Sequence, residues 1–152
     1  MPFPRGRHPQ AILQRAVFFT SYLIHHKWCM LLESRRYQVP LRVALAHDLD
    51  KFSPSHLWLW IVRDEVERCD RNHKGRTPHS WEYWANAGDP SGYRPMSDVA
   101  RREMLADWRA AQRMRGGRDY AQRVVAFYHA RRDAFGFHPT TRVWVEEHLA
   151  AF

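Results

Sequence analysis

The stretch QAILQRAVFFTSYLIHHKWCMLLESRRY, residues 10–37, decides the fold class. Its apolar residues recur at helical spacing. Ala16, Phe19, Leu23 and Met30 lie on one stripe, and His26 completes it three residues after Leu23. Outward from this helix the pattern stays helical, and strand-like alternation is almost absent. Pro40 suits the first position of a second helix, running to about Asp50. Ser53-Pro54 reads as the cap and first residue of a third, which carries Leu57, Trp60, Ile61 and Val66 and ends near Asn72. Residues 73–95 break the pattern with Gly75, Pro78, Gly88, Pro90, Gly92 and Pro95. A connection this long inside a domain is usually functional or mobile. Trp81 and Trp84, one turn apart, predict a short helix within it. Ser97 caps a fourth helix to about Met114, with the stripe Ala100, Met104, Asp107, Ala111 and Met114, and Gly116-Gly117 ends it. Two more helices follow, from Asp119 to about Ala134 and from Pro139 to the C-terminus. The expectation is all-α: one helical bundle of five or six main helices spanning residues 1–152 as a single domain.

Composition sets the bounds. A chain of 152 residues buries roughly 70% of its unfolded surface and needs no disulfide or metal merely to fold. With 45% hydrophobic and 26% charged residues, intrinsic disorder is excluded. No apolar run approaches the roughly 18 residues of a membrane span. The opening MPFPRGRHPQ has charge but no apolar core, so no signal peptide is expected. Cys29 and Cys69 make no disulfide framework, and a cytoplasmic location is the simplest expectation. Net charge is +8, mostly arginine, and there are 10 histidines.

Polar residues sit where core residues belong. His26 lies mid-stripe in the first helix and Asp107 mid-stripe in the fourth. A buried carboxylate needs a cation, hydrogen bonds or a metal. Singly, His26 reads as a satisfied core histidine and Asp107 as half of an arginine ion pair. Together they point to a shared site. His47-Asp48 ends the second helix after Val43-Ala44-Leu45-Ala46, with Lys51 one turn on. Adjacent helical positions point about 100° apart, yet both reach a metal held at a helix end. His73 and His79 flank Gly75 and Pro78; they read either as loop histidines or as further ligands. The candidate metal set is His26, His47, Asp48, His73, His79 and Asp107. Mixed imidazole and carboxylate donors suit Fe, Mn, Ni, Co or Zn rather than calcium. Six donors exceed what one tetrahedral zinc needs, so one or two divalent ions are expected. His25 is the alternative to His26. His8, His56, His138 and His148 read as terminal or solvent-facing, and His129 falls outside the motifs.

The order His…His-Asp…Asp on an all-helical chain resembles the HD-domain metal-dependent phosphohydrolase superfamily. His73 and His79, between the His-Asp pair and the last Asp, resemble its dinuclear branch, which includes the HD-GYP phosphodiesterases and the HD-type diiron oxygenases. The nearer likeness is to an uncharacterised HD-like family of bacteria and phages. It rests on His26-Lys27-Trp28, on His47-Asp48-Leu49-Asp50-Lys51-Phe52-Ser53-Pro54, on Pro78-His79-Ser80-Trp81-Glu82-Tyr83-Trp84, and on Glu103-Met104 with Asp107-Trp108. It covers about residues 19–109 and leaves a basic helical extension, 118–152, outside. Ser80 stands where that family usually has a second histidine, and Gly75-Arg76-Thr77 replaces an asparagine-rich stretch.

The resemblance implies a first metal on His26, His47, Asp48 and Asp107. It implies a second on His73 and His79 with Asp48 bridging, and Lys51 near a substrate phosphate. Glu103, one turn before Asp107, reads as a surface carboxylate, with orientation of a ligand as the other option. The expected reaction is in-line attack of a metal-bound hydroxide on a nucleotide or other phosphoester. Asp48, Lys51 and Arg76 are its catalytic residues, although Arg76 reads equally as an exposed loop residue. Trp81, Tyr83 and Trp84 read as packing beneath the loop, with stacking on a nucleobase as the alternative. The same ligands would serve a diiron oxygenase. A third option is a nucleic-acid- or protein-binding module with a structural metal, supported by Arg109, Arg113, Arg115, Arg118, Arg123, Arg131, Arg132 and Arg142. Arginines so scattered usually form a solvated face. No membrane partner is expected, and the oligomeric state is open.

Overall fold

The first helix, α1 (Pro9–Arg36), starts where His8 accepts a hydrogen bond from the Ala11 N–H (3.3 Å), with Pro9 in the first turn. It ends on two basic residues, Arg35 and Arg36, which suit the negative end of the helix dipole. The computed structural model to which α1 belongs describes residues 8–149. The chain reverses at Gln38 (φ 54°) into α2 (Leu41–Ala46), then a 3-10 turn (Leu49–Phe52). Ser53 caps α3 (Pro54–Leu57) by accepting from the His56 N–H (3.3 Å), and a π-helical turn (Trp58–Val62) follows. Helix α4 (Val66–Lys74) leads into the irregular segment, where Trp81–Trp84 form the expected short helix as a 3-10 turn. Ser97 caps α5 (Asp98–Arg113), accepting from the Ala100 N–H (3.3 Å). Gly116 (φ 74°) and Gly117 (φ 84°) make the turn to α6 (Tyr120–Arg131), and α7 (Pro139–Leu149) follows. The fold is all-α, with no strand among the described residues; Ala85 and Tyr93 form one isolated β-bridge. No described helix is long and apolar enough to cross a membrane. Residues 1–7, on which the expected absence of a signal peptide rests, and 150–152, to which the last helix was expected to run, lie outside the described residues.

Two helices differ from expectation. The second stops at Ala46 rather than Asp50, because Asp48 takes a left-handed backbone (φ 60°) that no helix continues. The third is not one helix to Asn72. It breaks after the π-helical turn, where Asp64 is also left-handed (φ 60°). Fully buried Arg15 of α1 fastens this break, donating to the Ile61 carbonyl (2.7 Å) and approaching the Asp64 carboxylate (3.8 Å). Apolar periodicity carried the reading across the break, because Ile61 and Val66 keep the helical rhythm on either side of it.

Helix α1 lies along α5. Cys29 and Met30 from the first pack with Met104, Leu105 and Ala106 of the second in one buried cluster. The residues beyond 118 are not an appendage. Val124, Tyr128, Val145 and Leu149 belong to that same cluster, and Trp108 sits between Phe127 (5.5 Å) and Phe135 (5.1 Å). Trp81 and Trp84 also pack against it, as the packing reading required, whereas Tyr83 is left exposed. The irregular segment docks through Tyr93, whose ring lies so close over Gly136 that a Cβ there would meet it at 1.9 Å.

One ionic contact ties α1 to α5. Glu33, 2% exposed, accepts from Arg109 (2.8 Å) and Arg113 (2.7 Å). Removing one partner of a buried pair leaves the other charge desolvated, which costs about 3–5 kcal/mol. Glu33→Ala is therefore expected to lower the unfolding free energy by about 3 kcal/mol, read from urea denaturation. A loss below about 1 kcal/mol, the range of an exposed pair, would show that this contact does not hold the helices.

Candidate metal centre

The local backbone solves the problem of two adjacent ligands. His47 leaves α2 in an extended conformation (φ −50°, ψ 128°), and Asp48 turns left-handed (φ 60°, ψ 14°). Both side chains are thereby buried on the same side of the helix end, at 2% and 5% exposure. Lys27 clamps the turn, its ammonium donating to the Leu45 carbonyl (2.6 Å) and to that of His47. A left-handed aspartate is an uncommon, mildly strained conformation of the sort retained at functional sites.

Four donors from three parts of the chain converge. His26 Nε2 of α1 lies 3.4 Å from His47 Nε2, 3.5 Å from Asp48 Oδ2 and 2.9 Å from Asp107 Oδ1 of α5. His47 Nε2 lies 3.5 Å from both Asp48 Oδ2 and Asp107 Oδ1. An ion about 2.0–2.2 Å from each donor sets donor separations of about 3.0–3.5 Å. The cluster has that size. Two imidazole nitrogens aimed at each other across this distance need a proton or a cation between them.

A second group shares Asp48. Its Oδ1 lies 3.2 Å from His73 Nε2 of α4 and 3.9 Å from His79 Nε2 of the irregular segment. That oxygen is buried and has no hydrogen-bond partner. Its near contact is the His73 ring, which with Nδ1 turned to Asp50 donates to it only while that ring is protonated; a cation held with His73 and His79 would take that proton's place. The donor set and this oxygen both fit a divalent ion. Three donor groups are close enough to hold one: His26, His47 and Asp107; His47, His79 and Glu103; Asp48, His73 and His79.

The rings are oriented from behind. Glu103 Oε1 accepts from Nδ1 of His47 (2.9 Å) and faces Nδ1 of His79 (3.3 Å), while Asp50 Oδ2 accepts from Nδ1 of His73 (2.8 Å). Each contact fixes the tautomer that leaves Nε2 free to coordinate and raises its basicity. Lys51 Nζ donates to Asp48 Oδ2 (2.7 Å). Burial opposes charge throughout, but the partners win. Asp48, Lys51's carboxylate partner, is held well below the usual carboxylate range by His47, by Lys51 and by its contact with His73. Asp107 is held well below it by His26 and His47. His47 is pushed up to about 10 against burial by Asp48, Asp107 and Glu103. Without a cation the cluster therefore favours a proton on His47 and, through Asp48 and Asp50, on His73.

The structure brings all six sequence-identified ligands together. His25 is exposed, which leaves His26 as the inward residue of the pair. Arg76 is not brought in. It is exposed, and its link to the cluster is its backbone N–H on the His73 carbonyl (3.0 Å). It sits in the turn that follows α4, which points it outward. Ser80 bonds to Thr77 (3.2 Å). Glu103 is not a surface carboxylate: it is 7% exposed and turned to the rings. His56 is buried rather than solvent-facing, stacked near Phe19 (6.0 Å). Asp50 and Tyr22 were missed. Asp50 stands beside the His-Asp pair, and Tyr22, one turn before His26, stacks parallel to it (6.0 Å).

Asp48→Ala is expected to abolish bound metal, because it faces both groups, whereas His73→Ala keeps the ion on His26, His47 and Asp107. Metal content per chain, measured after purification without chelator, checks this; full content in both variants would refute the assignment. Loading displaces protons, so apparent affinity should rise with pH up to about 10, where His47 loses its proton, as titration calorimetry would read; a flat profile would contradict proton-coupled binding. No curated protein and no solved structure matches the chain. A family model described as a family of unknown function (DUF5662) matches residues 59–151. The match takes in His73, His79, Glu103 and Asp107 together with the C-terminal helices, and starts after His47-Asp48. The chain belongs to this family of unknown function, DUF5662.

Proposed function

We propose that the chain is a metal-dependent phosphohydrolase that acts on a nucleotide or other phosphoester. The carrying observation is Asp48, whose two oxygens face two histidine-rich donor groups and whose Oδ1 has no hydrogen-bond partner. His26, His47, Asp48 and Asp107 would hold one ion, and His73 and His79 with Asp48 a second. The resemblance to the HD-domain superfamily points the same way. Bound ions of this kind acidify water and draw charge from a phosphoryl oxygen.

The chain's own residues supply the rest. Lys51, its ammonium partly open to solvent and raised in pKa by Asp48 and Asp107 despite burial, offers a permanent positive charge to a phosphate oxygen. Glu103 and Asp50 keep His47, His79 and His73 from rotating out of position. Asp107, with 27% of its side chain exposed, marks a side on which water reaches the cluster. Arg76 is given no part. The arginines that suggested a polyanion partner are largely engaged within the fold. Arg109 and Arg113 bind Glu33, Arg123 binds Asp119, Arg132 binds Glu146, and Arg142 binds the Phe135 carbonyl (2.8 Å).

The test loads the protein separately with Mn, Fe, Co, Ni and Zn and assays a panel of phosphomonoesters and phosphodiesters. Metal-dependent release of phosphate or alcohol is expected. In Lys51→Ala it should fall by about 10²-fold with metal content kept. Inactivity of every metal form on the whole panel would overturn the proposal, and oxygen consumption by the iron form alone would put the diiron oxygenase in its place.

A further inference from the structure

A cleft of about 320 Å³ ends on the candidate metal centre. Phe18, Phe19 and Tyr22 of α1, with Trp60 packed on Phe19 (4.2 Å), line one wall, and Val66 and Cys69 of α4 line the other. Its inner end is Lys51 and His73, both of which also touch Asp48. Its outer end shares Phe18, Trp60, Val66 and Glu67 with a wider open groove of about 860 Å³. The cleft therefore runs from solvent to the cluster.

Its walls are apolar and aromatic, and its charge is arranged by depth. Lys51 is the one Lys or Arg among its lining residues, and it stands at the inner end. The outer rim carries Glu67 and Asp70, of which Asp70 is paired with Lys74 (2.7 Å); Arg71 and Arg68, the latter paired with Glu65 (3.0 Å), line only the wider groove beyond it. Phe18 and Tyr22 are left 49% and 41% exposed. Their rings lie within 19° of one another, and Phe18 within 8° of Trp60, so their faces share one orientation. A flat ring entering along that orientation covers them by stacking. The volume is at the small end of ligand pockets, about 300–1,000 Å³, which suits one ring system with its linker. A second hollow, about 470 Å³, reaches the cluster past Arg42 and Pro78, but no Phe, Tyr or Trp lines it.

We propose that this cleft is the substrate pocket, and that it takes a phosphomonoester with one uncharged aromatic body, the phosphate toward Lys51 and the ring between the aromatic face of α1 and α4. The assignment rests on the phosphohydrolase reading. An anionic group on the body would meet Glu67 at the rim, so a neutral body is selected.

The test measures binding to the Mn-loaded protein by titration calorimetry with phosphonates, which are not hydrolysed. Phenylphosphonate should bind about tenfold tighter than methylphosphonate, and 4-carboxyphenylphosphonate weaker than phenylphosphonate. Val66→Trp, which fills the cleft, should remove the phenyl advantage while metal content and inorganic phosphate binding persist. Phe18→Ala, at a half-exposed position that tolerates truncation, should reduce the advantage at least threefold, and Arg42→Ala should leave it intact. Equal binding of phenyl and methyl phosphonates overturns the pocket while phosphate recognition at the metals stands. Loss of the advantage in Arg42→Ala but not in Phe18→Ala places the ring in the second hollow and also overturns it. Absence of binding by phosphate and both phosphonates to fully metal-loaded protein overturns the phosphohydrolase reading, and this assignment with it.

Discussion

The Asp48 carboxylate is the group around which the rest of this molecule is arranged. It is buried at 5% exposure on a left-handed turn, with His26, His47, His73 and Lys51 all within 3.5 Å of one oxygen or the other. An ionised carboxylate removed from water is strongly unfavourable unless positive charge stands beside it. All but one of the surrounding elements bring a nitrogen base or an ammonium to it. Helix α1 contributes His26, the end of α2 His47, the 3-10 turn Lys51, and α4 His73. The irregular segment adds His79, and α5 adds Asp107 and Glu103, which hold the imidazoles. The helices that form the apolar core are thus the same ones that must meet at a polar point. The Glu33 contact to Arg109 and Arg113 keeps α1 against α5, the two helices that carry His26 and Asp107.

The sequence was legible where a polar residue broke an apolar rhythm. His26 and Asp107 each occupy a stripe position that packing alone would fill with an aliphatic side chain, and both face the cluster. The rhythm also located α1, α5 and the two late helices. It was silent about backbone reversals, since nothing in composition marks Asp48 or Asp64 for a left-handed conformation, and so α2 ran too long and the third helix ran through its break. Orientation of the supporting groups was harder still. Glu103 has acidic and basic neighbours on α5 like any surface residue, and only its register one turn before Asp107 hints that it turns inward. Asp50 lies two residues from Asp48, where an acidic residue in a turn attracts no notice. His56 was misplaced for a related reason: one turn after a cap it looks exposed, but α3 is folded back against Phe19 of α1.

Charge and chemistry separate in this chain. The arginine-rich C-terminal region, from Arg109 on, carries eight arginines against four acidic residues, half of the net +8, yet much of it closes internal contacts: onto Glu33, onto Glu146, onto carbonyls and aromatic rings such as Phe127 beneath Arg131 (4.7 Å). The candidate centre itself has four carboxylates, Asp48, Asp50, Glu103 and Asp107, within reach of four imidazoles and a single ammonium. That balance is unusual for a site that binds polyanions unaided and ordinary for one that binds divalent cations, whose charge then recruits the anion. The family model takes in the His73–Asp107 portion and the late helices together, in keeping with the single buried cluster to which residues of both belong.

Anomalous diffraction from crystals of protein purified without chelator, collected on both sides of the absorption edges of Mn, Fe, Co, Ni and Zn, tests the central claim most directly. The account predicts a peak enclosed by His26, His47, Asp48 and Asp107 and a second beside Asp48 Oδ1, His73 and His79. Crystals grown with these metals in excess that show no anomalous peak at either place, with ordered His26, His47 and Asp48 side chains, would contradict it.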